Sequence, residues 1–235
     1  MTQKVYIAMP SRDNPDVDTQ FCMAQTMREL ERERIRYKYK FARNSSLIQL
    51  TRNQFVTDFL ASDCTDLVMI DDDLSWGEGS LNRLLSHPCD VVGGIYPKRS
   101  DPLTYPVRRL DGGKFDPVSG LLEVELMPTG FLRITRACLE RMTEQYSSLA
   151  YSDDAVPGGR TVALFWVDLV DDMPESRPGL KTVVGEDFSF CRKWRAMGGK
   201  VYADTLLRFR HWGKKGFEGC YADSLSISAL VQAAE

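Results

Sequence analysis

The chain has 235 residues, 43% of them hydrophobic and 27% charged, the balance of an ordinary globular protein long enough to bury a substantial core. Its formal net charge of -3 excludes a strong overall attraction to nucleic acid or to an anionic membrane. The opening "MTQKVYIAMPSR" has no apolar h-region, and no apolar run approaches the roughly 18 residues of a membrane span, so the expected location is cytoplasmic.

In chain order, "KVYIAM" predicts a buried strand, and Asp18 can cap a helix carrying Phe21, Ala24, Met27 and Leu30. "IRYKYKFA" alternates like a strand. Leu47 to Ala61 is predicted helical, with Ile48, Phe55, Phe59 and Leu60 on its apolar side. "DLVMI" is a short buried strand that ends at Asp71, Asp72 and Asp73. "GEGSLNRLLSH" predicts a short helix, with His87 as an exposed cap before Pro88, and "CDVVGGIY" predicts another strand. Strands interleaved with helices predict an α/β fold, with a mainly parallel central sheet and helices on both sides.

The pattern changes near Pro97. "YPKRSDPLTYPVRRLDGG" reads as loop, and "KFDPVSGLLEVELM" as a small additional β-hairpin. "FLRI" is a strand leading into the helix "TRACLERM". "TVALFWVDLV" reads as one strand and "DDMPESRPGLKTVV" as loop. "GEDFSFCRKWRAMGG" is a helix closed by two glycines, and "KVYAD" a strand. "LRFRHWGKKGFEG" is a polar-aromatic segment, and the tail "ADSLSISALVQAAE" reads as a short helix. The cysteines at 22, 64, 89, 138, 191 and 220 include no CxxC pair, which predicts reduced core thiols, not a zinc site or disulfides.

Four features carry chemistry. Three adjacent carboxylates at the end of a core strand need their charge compensated, and hard cations such as Mg2+ and Mn2+ prefer oxygen ligands. The bland alternative is a solvated acidic turn. His211, between Arg210 and Trp212, is either a metal ligand or a structural imidazole. Glu186 and Asp187 at a helix start serve as caps or as a general base. Arg52 and Asn53 lie on the helix before the aspartate strand, where the arginine can meet a phosphate or a carboxylate.

In this order the segments resemble the GT-A glycosyltransferases, a Rossmann-like nucleotide-sugar-dependent fold, in a family-2-like layout. The carriers are "VYIAMPSR", "TRN", "DLVMIDDDLSW" (similar to the DxD motif), "DVVGGIYPKR", "MPTGFLRITRACLERM", "GEDFSFCRKWRAMGGKVYAD" and "RFRHWG". The resemblance implies a single domain over 1–235, with a nucleotide-binding half at 1–96. Residues 97–235 are then the acceptor-binding half with its C-terminal tail. It implies Mn2+ or Mg2+ as cofactor, held by Asp73 and His211, and Asp71 near the ribose or sugar. Asp72 can replace either neighbour. Pro10, Ser11 and Arg12 then line the nucleotide, Gly130 belongs to the acceptor-side loop, and Asp187, next to Glu186, is the base of an inverting enzyme. The region also resembles a group of retaining mannosyltransferases, so the stereochemistry is open. Trp76 and Trp212 flank the metal motifs as sugar-stacking walls or as core. Lys98, Arg99, Lys214 and Lys215 can screen a diphosphate from mobile loops.

The activity implied is metal-dependent transfer of a sugar from a nucleotide-diphosphate donor to an acceptor hydroxyl. A nucleotidyltransferase acting on a sugar phosphate is the second reading, although "AMPSRDNPD" has no glycine for a phosphate loop. A non-catalytic GT-A-like binding protein is the third. The acceptor can be a glycan, a lipid-linked sugar, a protein, a small molecule or a modified nucleic-acid base. For the last of these, Lys98, Arg99, Arg108 and Arg109 would have to form a basic groove.

Overall fold

A computed structural model describes residues 3–213 and 215–225. The elements run β1 (Lys4–Pro10), α1 (Val17–Arg32), β2 (Arg36–Ala42), α2 (Ile48–Leu60), β3 (Asp66–Ile70), β4 (Leu74–Trp76), α3 (Ser80–Ser86) and β5 (Val91–Gly94). They continue β6 (Arg108–Arg109), β7 (Phe115–Asp116), β8 (Leu121–Leu126), β9 (Phe131–Thr135), α4 (Arg136–Gln145), β10 (Ala150–Ser152), β11 (Arg160–Val162) and β12 (Asp168–Val170). The last are β13 (Thr182–Val184), α5 (Glu186–Ala196), β14 (Val201–Asp204), β15 (Arg208–Trp212), β16 (Gly216–Cys220) and α6 (Tyr221–Ser224). Lys214 and most of the tail predicted as helix lie outside the described residues.

One nine-stranded sheet has the order β2-β1-β3-β9-β5-β14-β8-β6, with β7 also on β8. The strands β2, β1 and β3 are parallel, as are β5 and β14. The expected mainly parallel sheet is corrected to a mixed one: β9 runs antiparallel between β3 and β5, and β8 runs antiparallel to β14. A fully buried strand reads as the same apolar run in either direction, so periodicity could not show this.

Strand alternation sorts the core onto two faces. Tyr6, Ala8, Leu67 and Met69 join Phe55 and Phe59 of α2, Leu139 of α4 and Trp194 of α5. Val5, Ile7, Val68 and Ile70 join Met23 and Leu30 of α1 and Leu81 and Leu84 of α3. The single strand expected over "TVALFWVDLV" is two. Asn53 from α2 grips the Phe165 backbone at both its N–H and its C=O, each at 2.9 Å, and breaks the run. The segment expected as loop then supplies β13, which pairs with β12.

His87 also departs from expectation. It is 7% exposed, and its Nε2 lies 2.7 Å from Asp204, which also takes the Arg83 guanidinium at 2.6 Å. A small second sheet, β16-β15-β4, places His211 opposite Leu74. The Trp212 N–H donates to the Asp73 carbonyl at 2.8 Å. That sheet therefore delivers a residue from near the end of the chain to the aspartate triplet.

Candidate active site

The strands β1, β3 and β5 end at one edge of the sheet, and antiparallel β9 begins there, with Phe131 opposite Ile70. Ser11, the aspartate triplet, Tyr96 and Gly130 follow or precede those ends. This is the edge where open α/β sheets bind ligands.

The three aspartates take different partners. Asp71 Oδ1 accepts from Arg52 Nη2 at 2.9 Å, and Tyr96 Oη donates to Asp71 Oδ2 at 3.3 Å. Burial pushes the Tyr96 phenol up, and the Asp71 charge adds to it, so the hydroxyl remains a donor. The Asp71 N–H donates to the Gly130 carbonyl at 2.9 Å. A Cβ at Gly130 would overlap both the Asp71 carboxylate and the Tyr96 hydroxyl, so only glycine lets these side chains come so close to the backbone here. Arg52 is 4% exposed, and its Nε lies 3.5 Å from Glu186 Oε1. The guanidinium is therefore a buried strut between α2, Asp71 and the start of α5.

Asp72 turns away from its neighbours. Its Oδ2 accepts from the Ser11 hydroxyl and its carbonyl accepts the Asp16 N–H at 2.8 Å, which ties down the loop after β1. Burial pushes its carboxyl up. Pro10, the last residue of β1, and Ser11 in this loop are buried, and Arg12 is exposed.

Asp73 meets His211. The His211 Nδ1 lies 2.8 Å from the Pro97 carbonyl. A carbonyl only accepts, so Nδ1 carries the proton. Burial pushes the imidazole below its ordinary range, which favours the neutral ring. Its Nε2 lone pair then faces Asp73 Oδ1 at 3.4 Å. That oxygen is buried and has no hydrogen-bond partner. Two acceptors facing each other across a short gap repel unless something positive lies between them. A carboxylate suits a hard Mn2+- or Mg2+-type ion, and an imidazole whose other nitrogen is held by a carbonyl is better matched to the softer Mn2+ than to Mg2+. Among the described residues, no three His, Cys, Asp or Glu side chains converge on one point. Asp73 and His211 would supply such an ion with two protein ligands, and Mg2+-type ions commonly complete their shell with phosphate oxygens and water. The other Asp73 oxygen, Oδ2, is in contact with the guanidinium of Arg99.

Asp187 stands in the first turn of α5, its Oδ1 accepting the Phe188 N–H at 2.7 Å. Burial, reinforced by the adjacent Glu186 charge, pushes its carboxyl up to about 6. Such a group can take up a proton near neutral pH.

The other candidates have structural partners. Asn53 is fully buried on the Phe165 backbone. Trp76 is 8% exposed; its indole N–H goes to Thr26 on α1 and its ring packs against Phe131. Trp212 bonds Ser75 Oγ at 3.0 Å. Arg108 pairs with Glu175, which with the Arg99–Asp73 contact interrupts the supposed basic groove. Tyr96 and the Pro97 carbonyl were not singled out from sequence. The only signal for them is a tyrosine closing the apolar run "DVVGGI".

No protein-family profile and no curated protein matches the chain. Among solved structures it is similar to one titled "Crystal Structure of A197 from STIV", at 18% identity and a TM-score of 0.54, over 94% of this chain and 91% of that one. The two share a fold over nearly their whole length. A second likeness is to the catalytic domain of Drosophila beta1,4galactosyltransferase 7 in complex with xylobiose. At 15% identity and a TM-score of 0.44, covering 91% of this chain and 67% of that one, it is too distant to bear on function. The chain is a single-domain mixed α/β protein with three adjacent aspartates just beyond the end of a central strand. Among the described residues, no helix is long and apolar enough to cross a membrane.

Proposed function

We propose that the chain is a GT-A-type glycosyltransferase that moves a sugar from a nucleotide-diphosphate donor to an acceptor hydroxyl, with Mn2+ or Mg2+ as cofactor. One observation carries the reading: the buried, unpartnered Asp73 Oδ1 facing the His211 Nε2 lone pair at the ligand edge of the sheet. Asp73 and His211 would hold the cation, which when bound neutralises charge building up on the diphosphate leaving group.

The remaining roles belong to the chain. Asp71, fixed by Arg52 and Tyr96, presents a carboxylate of set orientation to a ribose or sugar hydroxyl. Ser11 and Asp72 shape the loop after β1 as a wall for the nucleotide. Asp187 accepts the proton of the acceptor hydroxyl as that oxygen attacks the anomeric carbon, a base role that fits an inverting enzyme. Glu186 leans on Arg52 and serves as a positioning residue.

The test is a thermal-shift screen of nucleotide sugars with and without Mn2+, followed by NMR assignment of the transferred anomer. Stabilisation by one donor class that requires Mn2+ and disappears in Asp73→Asn is expected. Absence of metal-dependent stabilisation by any donor would defeat the reading.

A further inference from the structure

The stretch 97–99 touches both sides of the notch. The Pro97 carbonyl orients His211, and two residues later the Arg99 guanidinium sits on Asp73 Oδ2. Arg99 is the more exposed partner, its side chain 42% accessible against 30% for Asp73. Its stem passes over Gly213, where an added Cβ would come within 3.0 Å of Arg99 Cδ. The surrounding loop is tied at other points. The Lys98 N–H donates to the Thr104 carbonyl at 2.7 Å, Lys215 pairs with Asp101, and Tyr105 Oη donates to the Cys220 carbonyl at 3.1 Å. The side chain of Arg99 can therefore leave Asp73 without the loop coming apart.

We propose that Arg99 is an internal counter-ion that keeps a free divalent cation out of the Asp73–His211 notch, and that the diphosphate draws it away. The inference rests on the metal-site reading given above. A guanidinium beside Asp73 lowers the negative potential that attracts a cation and repels the cation directly. A diphosphate reverses both effects, because its oxygens are bidentate partners for arginine and further ligands for the ion. Cation and diphosphate then enter together, and neither binds well alone. This coupling is a reciprocal linkage between two ligands, with Arg99 as the group whose partner changes.

The test is Mn2+ binding, read as the loss of free-Mn2+ EPR signal beyond that of a protein-free sample of the same composition, with no nucleotide and with UDP or GDP. The proteins are the wild type, Arg99→Ala, Arg99→Lys and Asp73→Asn. Arg99→Ala is expected to bind Mn2+ alone about fivefold more tightly, the upper range for removing a part-exposed ion pair. It is also expected to lose most of the enhancement that a nucleoside diphosphate gives the wild type. Arg99→Lys keeps the charge and should stay near the wild type for Mn2+ alone. Wild-type Mn2+ binding that is lost in Asp73→Asn but unchanged or weakened in Arg99→Ala would overturn the role of Arg99 and leave the metal site standing. Lack of Mn2+ binding in every protein, with or without diphosphate, would overturn both.

Discussion

Asp204 is the last residue of β14 and Asp73 lies between β3 and β4; both are carboxylates that burial should penalise, yet they have opposite surroundings. Asp204 is fully buried, and its oxygens meet Arg83, His87 and the Leu206 N–H. Asp73 is part-exposed, with one oxygen on a half-exposed arginine and the other buried, unpartnered and facing a lone pair. The first carboxylate is finished by the fold. The second is left with one oxygen that the fold does not satisfy. Burial of a charge therefore does not mark function by itself; incomplete satisfaction at a ligand edge does.

The contrast can be broken by mutation. The largest effect is expected from Asp204→Ala, which strands Arg83 and His87 and should cost about 3–5 kcal/mol in urea unfolding. Gly130→Ala should come next. The new methyl forces Asp71 and Tyr96 apart, costing about 1–3 kcal/mol by the same measurement.

Asp187→Asn should act in the other direction. Its carboxyl is raised to about 6 in the folded protein and is expected near 3.9 unfolded. The charged form is thus disfavoured by folding, and wild-type stability falls as pH rises from about 4 to 6. Asparagine does not titrate, so the variant should gain about 1–2 kcal/mol at pH 7, with the gain fading below about pH 4. Urea melts at both pH values check the sign. The same variant should lose about 10²–10⁴ in transfer rate if Asp187 is the base. The smallest effect is expected from Asp73→Asn without metal. It loses the contact with Arg99 but relieves the repulsion with His211, so stability should move by less than about 0.5 kcal/mol. A loss as large as that of Asp204→Ala would erase the distinction between the two carboxylates.

These residues also show what could be read in the sequence. An apolar run ending in acids placed the triplet at a strand end, and "GEDFSF" placed Asp187 in a first helical turn. Such local signals are carried by a few neighbouring residues. The roles of Asn53, His87 and Arg99 depend on partners far away in sequence. Asn53 meets Phe165, His87 meets Asp204, and Arg99 crosses from one loop to Asp73. Periodicity reports which face of an element is apolar, and it carries no information about which distant backbone or carboxylate will occupy a polar side chain. The direction of β9 was hidden for the same reason. It is set by its neighbours β3 and β5, not by its own residues.

The proposed function rests on a divalent cation, shared with a diphosphate, in the gap between Asp73 and His211. Its most direct test is anomalous diffraction near the manganese edge from crystals grown with Mn2+ and a nucleoside diphosphate. One strong peak beside Asp73 Oδ1 and His211 Nε2 is expected, with Arg99 off Asp73. A diphosphate bound at the sheet edge with no anomalous peak in that gap would contradict it.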